Sequence, residues 1–374
     1  MAIYKIFPTQ DATLYSLYPT MNTGLDAILE VSNKLGLDGT PDVTRYLIQF
    51  DTSEIRDIID NEIKGDPYSV YLKNFIAEAQ GINQNTLLEI RPIAQEWNNG
   101  TGYAFDSPIT TDGASWLFST ISGSNSWSLN GTTTGGAYTS SYNPSYSNPG
   151  GGNWFTSSLY LSTSSFALRN VKDFDVNVNS TINAWYSSSL PNYGFIVKLS
   201  GSLEFANNES TQPVLKYYSV DTNTIYPPTL EFRWRDYSTV LTGSLTGSII
   251  DTVNLKMSLS ENPEKFFLGS INRFYINVSP LYPTRVYQTA SLYTNLNYLP
   301  TSSYYAIKDL ATNEFVINFD DQYTQISSDV NGNYFDIYMS GLEPERYYKI
   351  LIKTLINGST LIFDDNYYFK VVNG

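Results

Sequence analysis

The sequence predicts an all-β protein built as two sandwich domains, and three observations predict it. Short apolar runs bounded by Gly, Asn, Pro or Ser recur along nearly the whole chain, a strand pattern and not that of amphipathic helices. Aromatic residues make up 15% of the chain, with 31 Tyr and 19 Phe, against only 16% charged, whereas disorder needs low hydrophobicity and dense charge. The 374 residues, at roughly 100–200 per domain, suffice for two or three domains that each bury a core.

Taken in order, residues 45–50 (RYLIQF), 86–93 (TLLEIRPI) and 195–199 (FIVKL) read as strands. After Asp51-Thr-Ser, the residues Ile55, Ile58, Ile59 and Ile63 fall at helical spacing and Lys64-Gly65 supplies a stop, so one short helix is predicted there. From about 119 to 165 the composition turns to Ser, Thr, Gly, Asn and Tyr. Such a segment is expected to bury little and to run as long surface loops inserted between strands. All six Trp lie from Trp97 to Trp234, and a polar, turn-rich stretch follows. The first domain is therefore expected to span 1–236, a linker 237–248, and a second domain 249–374. In the latter, 315–319 and 334–338 read as strands, and 280–300, charged only at Arg285, as a long Tyr-rich excursion.

The chain has no His and no Cys. Ser-His-Asp and Cys-His catalysis, Cys/His zinc sites, thiol redox chemistry and disulfides are thereby excluded. With 36 Asp+Glu against 22 Lys+Arg, a net charge of −14, no nucleic-acid partner is expected, because phosphate binding needs concentrated cations. The opening MAIYKIFP lacks the basic start and apolar run of a secretory signal, and no run reaches the roughly 18 apolar residues of a membrane span. The expectation is a soluble chain made without secretion and not inserted in membranes.

The paired carboxylates Asp320-Asp321 and Asp364-Asp365 read as solvated turns, since neighbours on a strand point to opposite faces and make a poor catalytic pair. Residues 173–179 (DFDVNVN) begin like an EF-hand loop, but that pattern requires Gly at 178 and Glu at 184, where this chain has Val178 and Ala184. The alternation of Phe174, Val176 and Val178 fits a strand with one wet face better. For a structural calcium ion, the one cofactor considered, Asp11 and Asp26 are the candidate oxygen ligands. The stretch 148–153 (NPGGGN) lacks the Lys-Ser/Thr of a phosphate loop. Trp97, Trp116 and Trp185 sit beside apolar runs and read as core, not as a sugar-stacking platform. Within 119–165, Tyr138, Tyr142, Tyr146, Trp154 and Phe155 are candidate interface residues, because aromatics among Ser and Gly make adaptable contact surfaces. No constellation demands catalysis, so no catalytic residue is assigned.

An ordered set of short motifs carries a resemblance. Asp11-Ala-Thr-Leu14, Asn22-Thr-Gly24, residues 45–51 (RYLIQFD), Ala77-Glu-Ala79, residues 91–97 (RPIAQEW), residues 112–116 (DGASW), Asn183-Ala-Trp185, residues 191–195 (PNYGF) and residues 228–232 (PTLEF) follow one another over the first 235 residues or so. Together they resemble DNRLRE domains, jelly-roll sandwiches akin to carbohydrate-binding modules. The hexapeptide that names that family is absent, and Pro227 stands where its closing strand carries Arg. Farther on, Gly341-Leu-Glu-Pro344, then Tyr347-Tyr348 and the strand 349–353 (KILIK), resemble the late strands of fibronectin type III domains. There a Tyr hydroxyl ties back to the backbone of the preceding corner. The resemblances imply a jelly-roll sandwich followed by an immunoglobulin-like one.

Sandwiches of an extracellular type without Cys or a secretion signal point to a bacteriophage particle, whose proteins are made and assembled in the host cytoplasm and act outside it. The expected function is a non-enzymatic virion structural protein of the neck, tail, fibre or capsid decoration. Its partners would be other virion proteins and copies of itself. The alternative is a glycan-binding adhesin or receptor-binding tail appendage that takes a host-surface glycan. A polysaccharide-degrading enzyme has only scattered carboxylates behind it.

Overall fold

The computed structural model describes residues 2–36, 39–82, 86–145, 147–167, 173–206, 212–239, 247–260, 263–282 and 296–374. These residues form an all-β protein of multiple, mostly antiparallel sheets. Contacts divide the chain into two compact units: Ile6–Glu62 with Ser69–Glu231, and Met1–Lys5 with Ile63–Tyr68 and Phe232–Gly374. The last division falls inside the strand Thr229–Trp234. Of the expected linker, residues 240–246 lie outside the described residues. Just before them the Ser238 N–H donates to Ser327 Oγ at 3.2 Å, and the Ser328 N–H to the Ser238 carbonyl at 3.0 Å. Residues 283–295 of the Tyr-rich excursion likewise lie outside the described residues.

In the first unit the principal sheet runs Ser162–Phe166, Thr86–Pro92, Phe195–Leu199, Pro41–Gln49, Ile28–Leu35, Val214–Tyr218, Ile76–Gln80, with Gln10–Tyr15 also paired to Pro41–Gln49. The strand Pro41–Gln49 organises it: Leu47 lies opposite Ile196 on one side and Ala12 on the other. Leu14, Leu47, Ile196, Trp97, Trp116, Trp127 and Trp154 form one buried cluster on this sheet. A smaller sheet pairs Tyr68–Asn74 antiparallel with Phe174–Asn177. In its last strand Phe174 and Val176 are buried while Asp175 and Asn177 are exposed, the alternation the sequence predicts.

The predicted helix is present as Thr52–Asp57 in α geometry continued by Ile58–Ile63 in π geometry. Asp51 caps it by accepting the Ser53 N–H at 2.8 Å, and Ile55, Ile58, Ile59 and Ile63 are buried. Lys64 and Gly65, at φ 55° and 91°, end it in left-handed backbone. The expectation of a single helix is corrected by a second one, Asn179–Tyr186, which buries Thr181, Ile182, Ala184 and Trp185. Its N-cap, Val178, makes no side-chain cap bond, so the usual start signal is missing from the sequence.

In the second unit one sheet has the order Leu255–Leu259, Ile271–Pro280, Gly332–Tyr338, Ser327–Asp329. The other has Lys265–Phe267, Tyr368–Val372, Tyr347–Ile356, Ser303–Asp309, Phe315–Ile317, with Ser359–Phe363 on Tyr347–Ile356. Tyr305 of one sheet stacks on Phe335 of the other at 4.4 Å and 15°, and Phe335 stacks on Phe274 at 5.5 Å. The Tyr348 hydroxyl donates to the Glu343 carbonyl at 2.9 Å, the corner tie anticipated at this position. Among the described residues no helix is long and apolar enough to cross a membrane.

Candidate functional site

The charged residues of the first unit's interior come first, since chemistry would need them. Arg45 is fully buried, and each arm of its guanidinium has an acceptor. Nε donates to Glu204 Oε1 at 2.7 Å, Nη1 to the Gly151 carbonyl at 2.6 Å, and Nη2 to the Ser141 carbonyl. Its planar face lies 4.9 Å from the ring centre of Trp116 and 5.1 Å from that of Trp154. Lys198 Nζ donates to Glu204 Oε2 at 3.3 Å and to the Leu199 carbonyl at 2.9 Å, and sits 5.2 Å from the Trp154 ring. Burial pushes the Glu89 carboxyl up, but Lys198, Ser200 and Arg91 together hold it below its ordinary value. Every partner here is internal. The network is a clamp: removing one member would strand the others without solvent, which is costly.

What the clamp holds is part of the Ser/Gly-rich segment, which stays mostly exposed or half-buried but sends three large side chains inward. Trp127 (3% exposed), Trp154 (4%) and Phe155 (0%) belong to the core. The segment forms a small sheet of Trp154–Phe155, Gly136–Thr139 and Asn130–Thr133, and contributes Ser162–Phe166 to the principal sheet. Gly151, at φ 77°, permits the approach: a Cβ there would lie 2.7 Å from the Trp116 ring and 2.8 Å from Arg45 Nη1. Trp154 and Phe155, expected at an exposed contact surface, are instead buried, Trp154 beside Arg45 and Lys198. Tyr138 and Tyr142 are half-buried, and Tyr146 lies outside the described residues.

The two calcium candidates do not assemble a cation site either. The Asp11 side chain is buried and accepts the Val220 N–H at 2.8 Å. Burial pushes its carboxyl up to about 8, the Val220 N–H opposes this, and Asp221 and Asp26 reinforce it. Asp26 accepts the N–H groups of Ile28 and Ala104 at 3.3 and 3.1 Å, and burial raises it as well. Among the described residues no group of three or more Asp or Glu side chains is arranged to hold a metal ion, whereas calcium asks for six to eight oxygens. Elsewhere, Asp320 accepts the N–H groups of Gln322 and Tyr323, and Asp364 that of Asn366, as turn residues do.

Most motifs behind the family resemblance prove to be clamps too. Asn22 donates to the carbonyls of Asn99 and Ala114 at 2.7 and 2.9 Å and accepts the N–H groups of Gly24 and Gly102. Trp97 Nε1 donates to the Tyr193 carbonyl, Trp116 Nε1 to that of Asn148, and Asn192 to that of Phe50. Three loops are thereby brought together at one end of the first unit. The Asn22 N–H reaches the Thr110 carbonyl, the Leu25 N–H that of Gly102, and the Ser122 N–H that of Thr111, all within 3.0 Å.

That loop end exposes a group of large apolar side chains: Leu17 (40%), Tyr18 (39%), Tyr103 (50%), Phe105 (60%), Ile109 (44%) and Ile121 (53%). Phe105 meets Tyr18 edge-on at 5.0 Å. Its backbone is left-handed at φ 62°, a conformation that costs a bulky residue on the order of 1–2 kcal/mol. Phe105 thus combines an uncommon backbone conformation with a side chain that is 60% exposed, its ring also meeting Tyr15 at 5.7 Å. Residue-by-residue reading missed this site because its members come from three stretches, each of which reads as a loop. Comparison with family models, with curated proteins and with solved structures finds no match to this chain.

Proposed function

We propose that the chain is a non-enzymatic structural protein of a bacteriophage particle, docking through this loop end onto other particle proteins of the neck, tail, fibre or capsid decoration. The observation that carries the docking role is that loops pinned together by hydrogen bonds expose six large apolar side chains, Phe105 and Tyr18 among them in contact. Composition supports the rest, since the chain lacks His and Cys and Arg45, Lys198, Glu204 and Asp309 are engaged in internal ion pairs. A glycan-binding appendage draws less support, because all six Trp, the best sugar-stacking side chains, are at most 4% exposed. The test is quantitative mass spectrometry of purified particles with localisation by reconstruction. The proposal expects a fixed copy number per particle and a neighbouring protein over Phe105. Absence from particles, or saccharide binding by the isolated chain at the loop end, would count against it.

A further inference from the structure

We infer that the partner of this loop end is a protein surface in which Arg or Lys side chains surround apolar anchors; the inference rests on the docking reading above. The segments that build the site contain no cation, since neither 6–33 nor 92–168 holds a Lys or Arg. Carboxylates stand among the exposed rings instead. Asp26 accepts the N–H of Ala104, between Tyr103 and Phe105, at 3.1 Å, and Asp106 accepts that of Tyr103 at 3.3 Å. Asp42 accepts the Leu17 N–H at 3.4 Å and Asp112 that of Thr101 at 2.9 Å. The Coulombic neighbour of Asp42, Lys34, is itself paired with Glu30. Asp106 is exposed and Asp26, Asp42 and Asp112 are half-buried, so the surface offers carboxylate oxygens on the loops that carry the aromatic faces, which is what a guanidinium takes.

The chain builds that same combination internally. In the second unit Arg273 forks onto Asp336 at 2.9 Å through both Nε and Nη2 and lies 4.0 Å from the Tyr334 ring centre. At the loop end the ring and carboxylate components are present and the cation must come from outside. A second copy presenting the same face is disfavoured, because residues 1–231 hold 22 Asp+Glu against 11 Lys+Arg and like charges would meet. Anionic lipid and nucleic acid are disfavoured for the same reason.

The probes are two synthetic peptides with identical apolar residues, one carrying Arg and the other Glu at every polar position. They are titrated into the full chain with Ile methyl groups isotope-labelled for NMR. The Arg peptide should shift Ile109 and Ile121, weaken with added salt, and lose about tenfold or more in affinity on Tyr18→Ser with Phe105→Ser. An exposed charge variant, Asp106→Asn, should weaken it to a lesser degree and serves should the double variant fold poorly. Equal binding of the Glu peptide, no binding of either, shifts confined to other Ile residues, or unchanged affinity in the variants would overturn the inference. Finding the chain absent from particles would instead remove the virion reading and leave the peptide result standing.

Discussion

Two regions of the first unit start from similar material and end differently. The segment 127–155 and the loop end around Phe105 are both rich in Ser, Thr, Gly and Asn with aromatics interspersed. The former buries Trp127, Trp154 and Phe155, while the latter exposes Tyr18, Tyr103 and Phe105. At Trp154 the difference includes the charge beneath the ring. Arg45 and Lys198, rising from the principal sheet, place cations 5.1 and 5.2 Å from the Trp154 ring and pin nearby carbonyls. The loops around Phe105, 15–26 and 98–122, hold no Lys or Arg of their own. Trp154 is core where the scaffold sets cations against its ring, while Tyr18, Tyr103 and Phe105 stay exposed.

The largest effect expected from breaking this contrast is in the clamp. Glu204→Gln or Trp154→Ala should cost about 3–5 kcal/mol, through an uncompensated buried charge in one case and a cavity in the other. Denaturant unfolding reads this directly. A Trp154→Ala chain that keeps wild-type stability would show that the segment is not part of the core.

Next comes Asp11. Folding raises its pKa from 3.8 to about 8, so the folded chain holds a proton that the unfolded chain releases. The resulting stabilisation is full below the unfolded value and is lost as pH rises toward the folded one, by up to about 1.4 kcal/mol per pH unit. Asp11→Asn keeps an acceptor for the Val220 N–H without the charge. Measured from pH 5 to 9, the variant should be flatter with pH than the wild type and the more stable of the two at the upper end. Parallel curves would refute the assignment.

The second unit supplies a smaller effect. Tyr348→Phe removes the hydroxyl tie to the Glu343 carbonyl and should cost about 1 kcal/mol in chemical unfolding. At the loop end the effect on stability should be smallest of all. Tyr18→Ser should stay within about 0.5 kcal/mol, and Phe105→Gly should be neutral or slightly stabilising, since Gly carries no penalty at φ 62°. Docking should nonetheless be lost in both. A large stability loss at these positions would mean that the rings support the fold after all.

Much of the fold was legible because local chemistry and tertiary role agreed. Ile55, Ile58, Ile59 and Ile63 mark the first helix, Asp51 its start and Lys64-Gly65 its end. The alternation at Phe174 and Val176 marks a strand. The second helix escaped because a Val occupies its cap and Asn, Ser and Thr fill its first turn. Trp154 was misread because its partners, Arg45 and Lys198, are distant in sequence and ordinarily signify solvent. The loop end was invisible for the mirror reason: hydrogen bonds from Asn22 gather apolar residues that stand singly in the chain.

The measurement that tests this contrast most directly is hydroxyl-radical footprinting of the free chain, read residue by residue by mass spectrometry. Tyr18, Tyr103 and Phe105 should label heavily, and Trp127, Trp154 and Phe155 should be protected. Protection of the Phe105 group with heavy labelling of Trp154 would reverse the two regions and contradict the account.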